Sequence, residues 1–267
     1  MHFILTPTVK NLLIANFGVF VIGTVLSTQN GIDINAYFGL HSYFSDHFQP
    51  YQFVTYIFMH GGIGHIFSNM FALFIFGPLL EKYWGGKRFL FFYLFTGVGA
   101  GLSYWAVNAY EVYHLREAVN FYLQHPNPEE FVKLLSGYDR DIYRSLLPQI
   151  EAFSEYPTDV QAIAWSKDRA REIYHYASSF SMVGASGSVY GVLMAFGLLF
   201  PNTVLQYFFI PIPIKAKYVV AFYGLSALYM QIKSAPDDNV AHFAHLAGMV
   251  FAFILVRYWS KRRDVFY

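Results

Sequence analysis

The 267-residue chain has no cysteine. Disulfides and thiolate metal sites are therefore excluded, and the redox compartment is left open. Charge is scarce: 13% of residues are charged, about half the roughly 25% of a soluble domain. The few charges nearly cancel, to a net +1, which argues against a nucleic-acid partner. Between Ser27 and Gln52 there is no lysine or arginine at all. No repeat or low-complexity tract is present. No A-x-A-type cleavage site follows the first apolar run, which is therefore read as a retained span rather than a signal peptide.

What fills the chain is hydrophobic residue, 55% of the total, with aromatics at 21%. A spanning helix needs roughly 20 mostly apolar residues. Six segments approach this, at 11–28, 63–81, 88–110, 186–201, 217–232 and 240–259. Pro201, Pro211 and Pro213 break the chain between the fourth and fifth. The apolar connection 202–214 is expected at the membrane surface. The fold class expected is an all-α membrane protein, a six-transmembrane-helix bundle with a helical polar insertion between the third and fourth spans. Three regions follow: 1–110 with the first three spans and an aromatic outer loop, 111–180 as the insertion, and 181–267 with the last three spans and a basic tail.

Lysine and arginine orient the bundle. With both termini in the cytoplasm, the inner side holds Lys10, Lys82, Lys87, Arg88, Lys215, Lys217, Arg257, Lys261, Arg262 and Arg263. The outer loop before the second span has none, and the loop before the sixth has only Lys233. Segment 111–180 carries seven Lys/Arg and eleven Asp/Glu, which suits a solvated face. Long loops cross largely regardless of charge. Pro126-Asn127-Pro128-Glu129-Glu130 reads as a turn and a helix start with acidic residues in the first turn. Further helical spacing follows, with interruptions expected at Pro148 and Pro157. Tyr37, Phe38, Tyr43, Phe44, Phe48 and Tyr51 make the first outer loop aromatic, as at a membrane–water interface. Without organelle-targeting features, the expected location is a bacterial inner (plasma) membrane.

Polar groups inside a membrane are costly and are functional candidates by default. Three clusters qualify. Ser186 and Tyr190 lie four apart, on one helix face. His60, His65 and Asn69 lie at the outer end of the second span, and His242 and His245 at that of the sixth. All three clusters share one membrane depth. Serine needs an adjacent base to act as a nucleophile, and histidine is the usual one. Small residues allow close helix approach: Gly184, Ala185, Gly187 and Gly191 around the serine, Ala244, Ala247 and Gly248 around His245. No Asp or Glu lies in the fourth or sixth span, so a dyad is expected rather than a triad. Tyr190 is placed to hold the imidazole by stacking. Asn69, His65 and the Ser186 N–H at a helix start are the available oxyanion donors.

Each motif has a plainer reading. Gly-x-Ser-Gly alone is explained by a helix crossing, and His60 or His242 alone by an interfacial role. His242 and His245 at i, i+3 fit a metal or haem, without the usual carboxylate third ligand. Glu81 reads as a hydrogen-bond acceptor for helix ends. The conjunction favours chemistry.

Met59-His60-Gly-Gly-Ile-Gly-His65-Ile-Phe-Ser-Asn69, Gly184-Ala-Ser186-Gly-Ser-Val-Tyr190-Gly and Ala244-His245-Leu-Ala-Gly248 together resemble the rhomboid family of intramembrane serine proteases. The resemblance covers roughly 11–110 and 181–260. It implies Ser186 as nucleophile and His245 as base. It further implies His65, Asn69 and Ser186 at the oxyanion hole, with Tyr190 packed on His245. His60, Gly184, Gly187 and Gly248 support them. The substrates implied are single- or multi-span membrane proteins cut near the outer membrane boundary, within the lipid bilayer and with no metal or cofactor. The oligomeric state is left open. A catalytically silent relative that binds or escorts membrane clients is the alternative. Two features depart from the family. Many members have Trp-Arg where this chain has Tyr51-Gln52, and segment 111–180 is much longer than the usual third loop.

Overall fold

A computed structural model describes residues 5–207, 210–233 and 242–263. Helix α1 (Pro7–Asn30) starts with proline in its first turn and stops at Gly31, whose φ of 67° is left-handed. Both are common helix boundaries. The loop after α1 holds α2 (Asn35–Phe38), strand β1 (Leu40–His41), α3 (Gln52–Thr55) and a 3-10 turn at Tyr56–Phe58. Next come α4 (Ile63–Trp84) and α5 (Gly86–Gln124). The polar segment folds as α6 (Pro128–Tyr138), α7 (Arg140–Ser145), α8 (Leu147–Glu155) and α9 (Val160–Ser179). Strand β2 (Ser181–Met182) then pairs antiparallel with β1, Leu40 opposite Met182. The chain continues through α10 (Ser186–Leu199), β3 (Val204–Tyr207), β4 (Ile210–Lys215), α11 (Ala216–Lys233) and α12 (His242–Arg263).

Among the described residues, α1, α4, α5 and α12 are long and apolar enough to cross a membrane, and α10 is apolar but shorter. The expected third span, 88–110, lies within a helix that continues well beyond it. Helix α5 runs 39 residues, about 58 Å at 1.5 Å per residue. The hydrocarbon core is about 30 Å, so roughly half the helix stands clear of it. The reason is periodicity: Val112, Leu115, Val119 and Tyr122 continue a buried stripe after the hydropathy has fallen. The boundary drawn at 110 thus falls inside one helix.

That stripe is the seed of a second core. Leu115, Val119 and Tyr122 pack with Phe131, Leu135, Ile150, Phe153 and Ile173. Asn127 caps α6 by accepting from the Glu130 N–H at 2.9 Å. Pro148 does not interrupt a helix. It sits in the first turn of α8, where its missing N–H costs nothing. Pro157 lies in the turn between α8 and α9. The connection 202–214 is a β-hairpin of β3 and β4 rather than irregular chain. Residues 208–209 of that connection, 234–239 of the loop before the expected sixth span, and 240–241 of that span lie outside the described residues.

The main core joins α4, α5, α10 and α12 through Leu73, Phe92, Val192, Phe196 and Ala252. Small residues set its spacing. Gly97 on α5 leaves no room for a Cβ because Ser188 and Ile57 lie against it, and Gly99 faces the Phe251 ring. Ser188 Oγ donates to the Tyr93 carbonyl at 2.8 Å, tying α10 to α5.

Candidate active site

Ser186 is the first residue of α10, so its N–H has no partner within the helix. Gly184 just before it has φ 125°, a conformation that glycine adopts at little cost. A Cβ there would also lie 2.6 Å from His65 Nε2. Glycine at 184 thus allows both the turn into α10 and the approach of His65. The Gly184 N–H donates to the Tyr56 carbonyl at 2.9 Å.

His245 is on α12, one turn from its described start. A Cβ on Gly248 would run into the Gly187 backbone, and one on Gly187 would lie 2.6 Å from Ala100. Here α10 and α12 cross nearly backbone to backbone. The crossing brings His245 Nε2 to 2.8 Å from Ser186 Oγ. The Tyr190 ring stacks on His245 with centroids 4.2 Å apart and planes 6° apart. Tyr223 of α11 meets Tyr190 edge-on at 6.2 Å. His242 lies 5.8 Å from His245 ring to ring.

The hydroxyl and imidazole open into a cavity of about 710 Å³ that is also lined by His65 and Asn69. Asn69 is buried, and its Nδ2 has no hydrogen-bond partner among the described residues. A buried donor without a partner is costly, and one lining a cavity is available to a ligand. His60 is buried outside this lining and meets His65 edge-on at 5.2 Å, which fixes the latter's ring. Every polar side chain of the three sequence clusters therefore lies in or against one cavity, His60 and His242 behind the front rank. Among the described residues, no three His, Cys, Asp or Glu side chains group as metal ligands.

The sequence reading missed several participants. Tyr56, Phe180, Met182 and Val183 also line the cavity. The Tyr56 hydroxyl donates to the Gly97 carbonyl at 2.6 Å. Gln52 is fully buried. Its Nε2 donates to the carbonyls of Tyr37 at 3.0 Å and His47 at 2.9 Å. Its Oε1 accepts from the N–H groups of His41 at 3.3 Å and Gln49 at 3.1 Å. Gln52 thus ties the first outer loop into one piece beside β1. Glu81, at the other end of α4, accepts from the Thr6 hydroxyl and from the N–H groups of Thr8 and Val9. It caps α1.

A helical membrane protein with a hydrogen-bonded serine–histidine pair facing one cavity is defined by these observations. Its sequence matches the Rhomboid domain over residues 47–115 and 164–262. The chain belongs to the rhomboid family. The unmatched stretch between those ranges contains α6, α7 and α8. Two relatives come from Arabidopsis thaliana. Rhomboid-like protein 11, chloroplastic, is 46% identical over 71 residues, 26% of this chain and 25% of that protein. RHOMBOID-like protein 12, mitochondrial, is 34% identical over 102 residues, 38% of this chain and 30% of that protein. The matches thus span less than a third of either relative's length. Those names place these two proteins in organelles and give no support to a bacterial plasma membrane.

Proposed function

We propose that this protein is an intramembrane serine endopeptidase that cuts single- or multi-span membrane proteins near their outer membrane boundary. The observation that carries the reading is the 2.8 Å contact between Ser186 Oγ and His245 Nε2, inside a cavity that Asn69 and His65 share. His245 takes the hydroxyl proton as Ser186 attacks the peptide carbonyl. Asn69 Nδ2, the His65 ring and the Ser186 N–H face the developing oxyanion. His245 returns the proton to the leaving amine, and water then hydrolyses the acyl-enzyme.

The depth of the cut has a geometric argument. Helix α10 has 14 residues, about 21 Å, against a hydrocarbon core of about 30 Å. With its inner end at the cytoplasmic boundary, Ser186 lies below the outer one. The proposed bundle has six spans, with α10 and α11 the short fourth and fifth, and both termini facing the cytoplasm of a bacterial inner membrane. The basic-residue bias supports the orientation.

Fluorophosphonate labelling of the purified protein tests the reading. Wild type is expected to label, and Ser186→Ala and His245→Ala to lose labelling. Labelling that survives Ser186→Ala overturns the assignment. An unlabelled wild type that still binds membrane clients supports the silent alternative.

A further inference from the structure

A second cavity, of about 900 Å³, lies between the protruding half of α5, α6 and the end of α9. The proposed reaction does not use it. Its lining includes the phenols of Tyr104, Tyr138 and Tyr176 and the carboxylates of Glu111 and Glu130. Tyr104 is half-buried, and its hydroxyl makes no hydrogen bond among the described residues. Glu111, exposed at the cavity's mouth, has no ion-pair partner among them. Glu130 has Lys133 at 3.8 Å, but that lysine side chain is 77% exposed and sits at the rim. His114 is the remaining basic group on the wall. The cavity thus offers two carboxylates and several aromatic faces with little cation of its own. Cations are attracted both by carboxylates and by the faces of aromatic rings.

Its position matters as much as its chemistry. Phe180 lines this cavity and also the serine cavity. Phe180 and Ser186 are six positions apart, a span of at most roughly 20 Å, which an extended substrate covers in about six residues.

We propose that this cavity is an exosite for a lysine or arginine side chain on the extramembrane flank of the substrate, about six residues from the cut. This rests on the protease reading, but its test does not need turnover. Fluorescent peptides matching the flank would carry lysine or norleucine at that position. Their binding would be measured to the full chain carrying Ser186→Ala. The lysine peptide is expected to bind about tenfold more tightly, with the advantage falling as salt rises. Glu111→Gln with Glu130→Gln should abolish the difference, and Glu111→Lys should turn the preference toward a glutamate peptide. Thermal unfolding checks that each variant is folded. Equal binding of the two peptides as the lysine is moved from four to ten residues out would overturn the proposal. So would a preference that survives the double Gln variant. Failure of the fluorophosphonate assay with a persisting lysine preference would sink the protease reading and leave the cation site standing.

Discussion

At the scale of single residues, the site is a set of close approaches that only certain side chains permit. Asn69 is buried with its amide nitrogen unpartnered, a cost offset only if something accepts from it. For the proposed reaction, Asn69→Ala should lower kcat about 10²-fold or more, the usual loss for an oxyanion donor. KM should change little, and steady-state cleavage of a transmembrane reporter reads both. Tyr190→Phe keeps the stacked ring and should retain most activity. Tyr190→Ala removes the face on which His245 rests and should cost roughly tenfold in kcat. Equal activity of the two variants would show that the stacking is incidental. Ser186, His245, His65, Asn69 and Tyr190 were legible in the sequence because polar groups stand out against apolar runs. Tyr56, Phe180 and Tyr223 were not. With aromatics at 21% of the chain, nothing marks the three that face the site. Gln52 was noticed only as a departure from Trp-Arg, and its four hydrogen bonds depend on a loop path that spacing does not reveal.

At the scale of elements, two polar side chains hold chain ends that cannot hold themselves. Gln52 satisfies four backbone groups of the first outer loop. Gln52→Leu keeps the volume and strands all four, at a cost of about 2–4 kcal/mol. Thermal unfolding in detergent should fall by roughly 5 °C or more. Glu81→Gln keeps one acceptor and turns the other into a donor facing the N–H groups of α1. A loss of about 1–2 kcal/mol is expected, read in the same assay, with Ser186 labelling retained. Glu81 was legible as an acceptor for a helix end, though not which helix. The end of α5 was not legible. Hydropathy drops near residue 110, while the buried stripe through Val112, Leu115, Val119 and Tyr122 continues into a different core. Span-counting follows the first signal, and the helix follows the second. The hairpin of β3 and β4 was hidden by its prolines, which argue against a central strand but not against a two-stranded edge.

For the whole molecule, orientation is the property on which the chemistry depends. The absence of cysteine allows single thiols to be placed without background. Asp141→Cys on α7 should react with a membrane-impermeant maleimide in intact cells, and Ser260→Cys near the end of α12 only after permeabilisation. The reverse pattern would put the serine cavity on the cytoplasmic side and contradict the basic-residue argument. Helical membrane character was legible because apolar helix length answers to the membrane rather than to this fold. The seating of α6 to α9 depends on contacts distant in sequence.

The length of α5 has one more effect. Its 39 residues reach about 28 Å past a 30 Å hydrocarbon layer, and the far half carries the second core against α6, α8 and α9. In the proposed reaction, a folded body of that height is expected to obstruct a client whose own folded head sits flush with the lipid. Such a client is expected to need about eight bare residues between head and bilayer, at 3.3–3.6 Å each. On that reading stalk length, independent of any recognised side chain, becomes a criterion of admission.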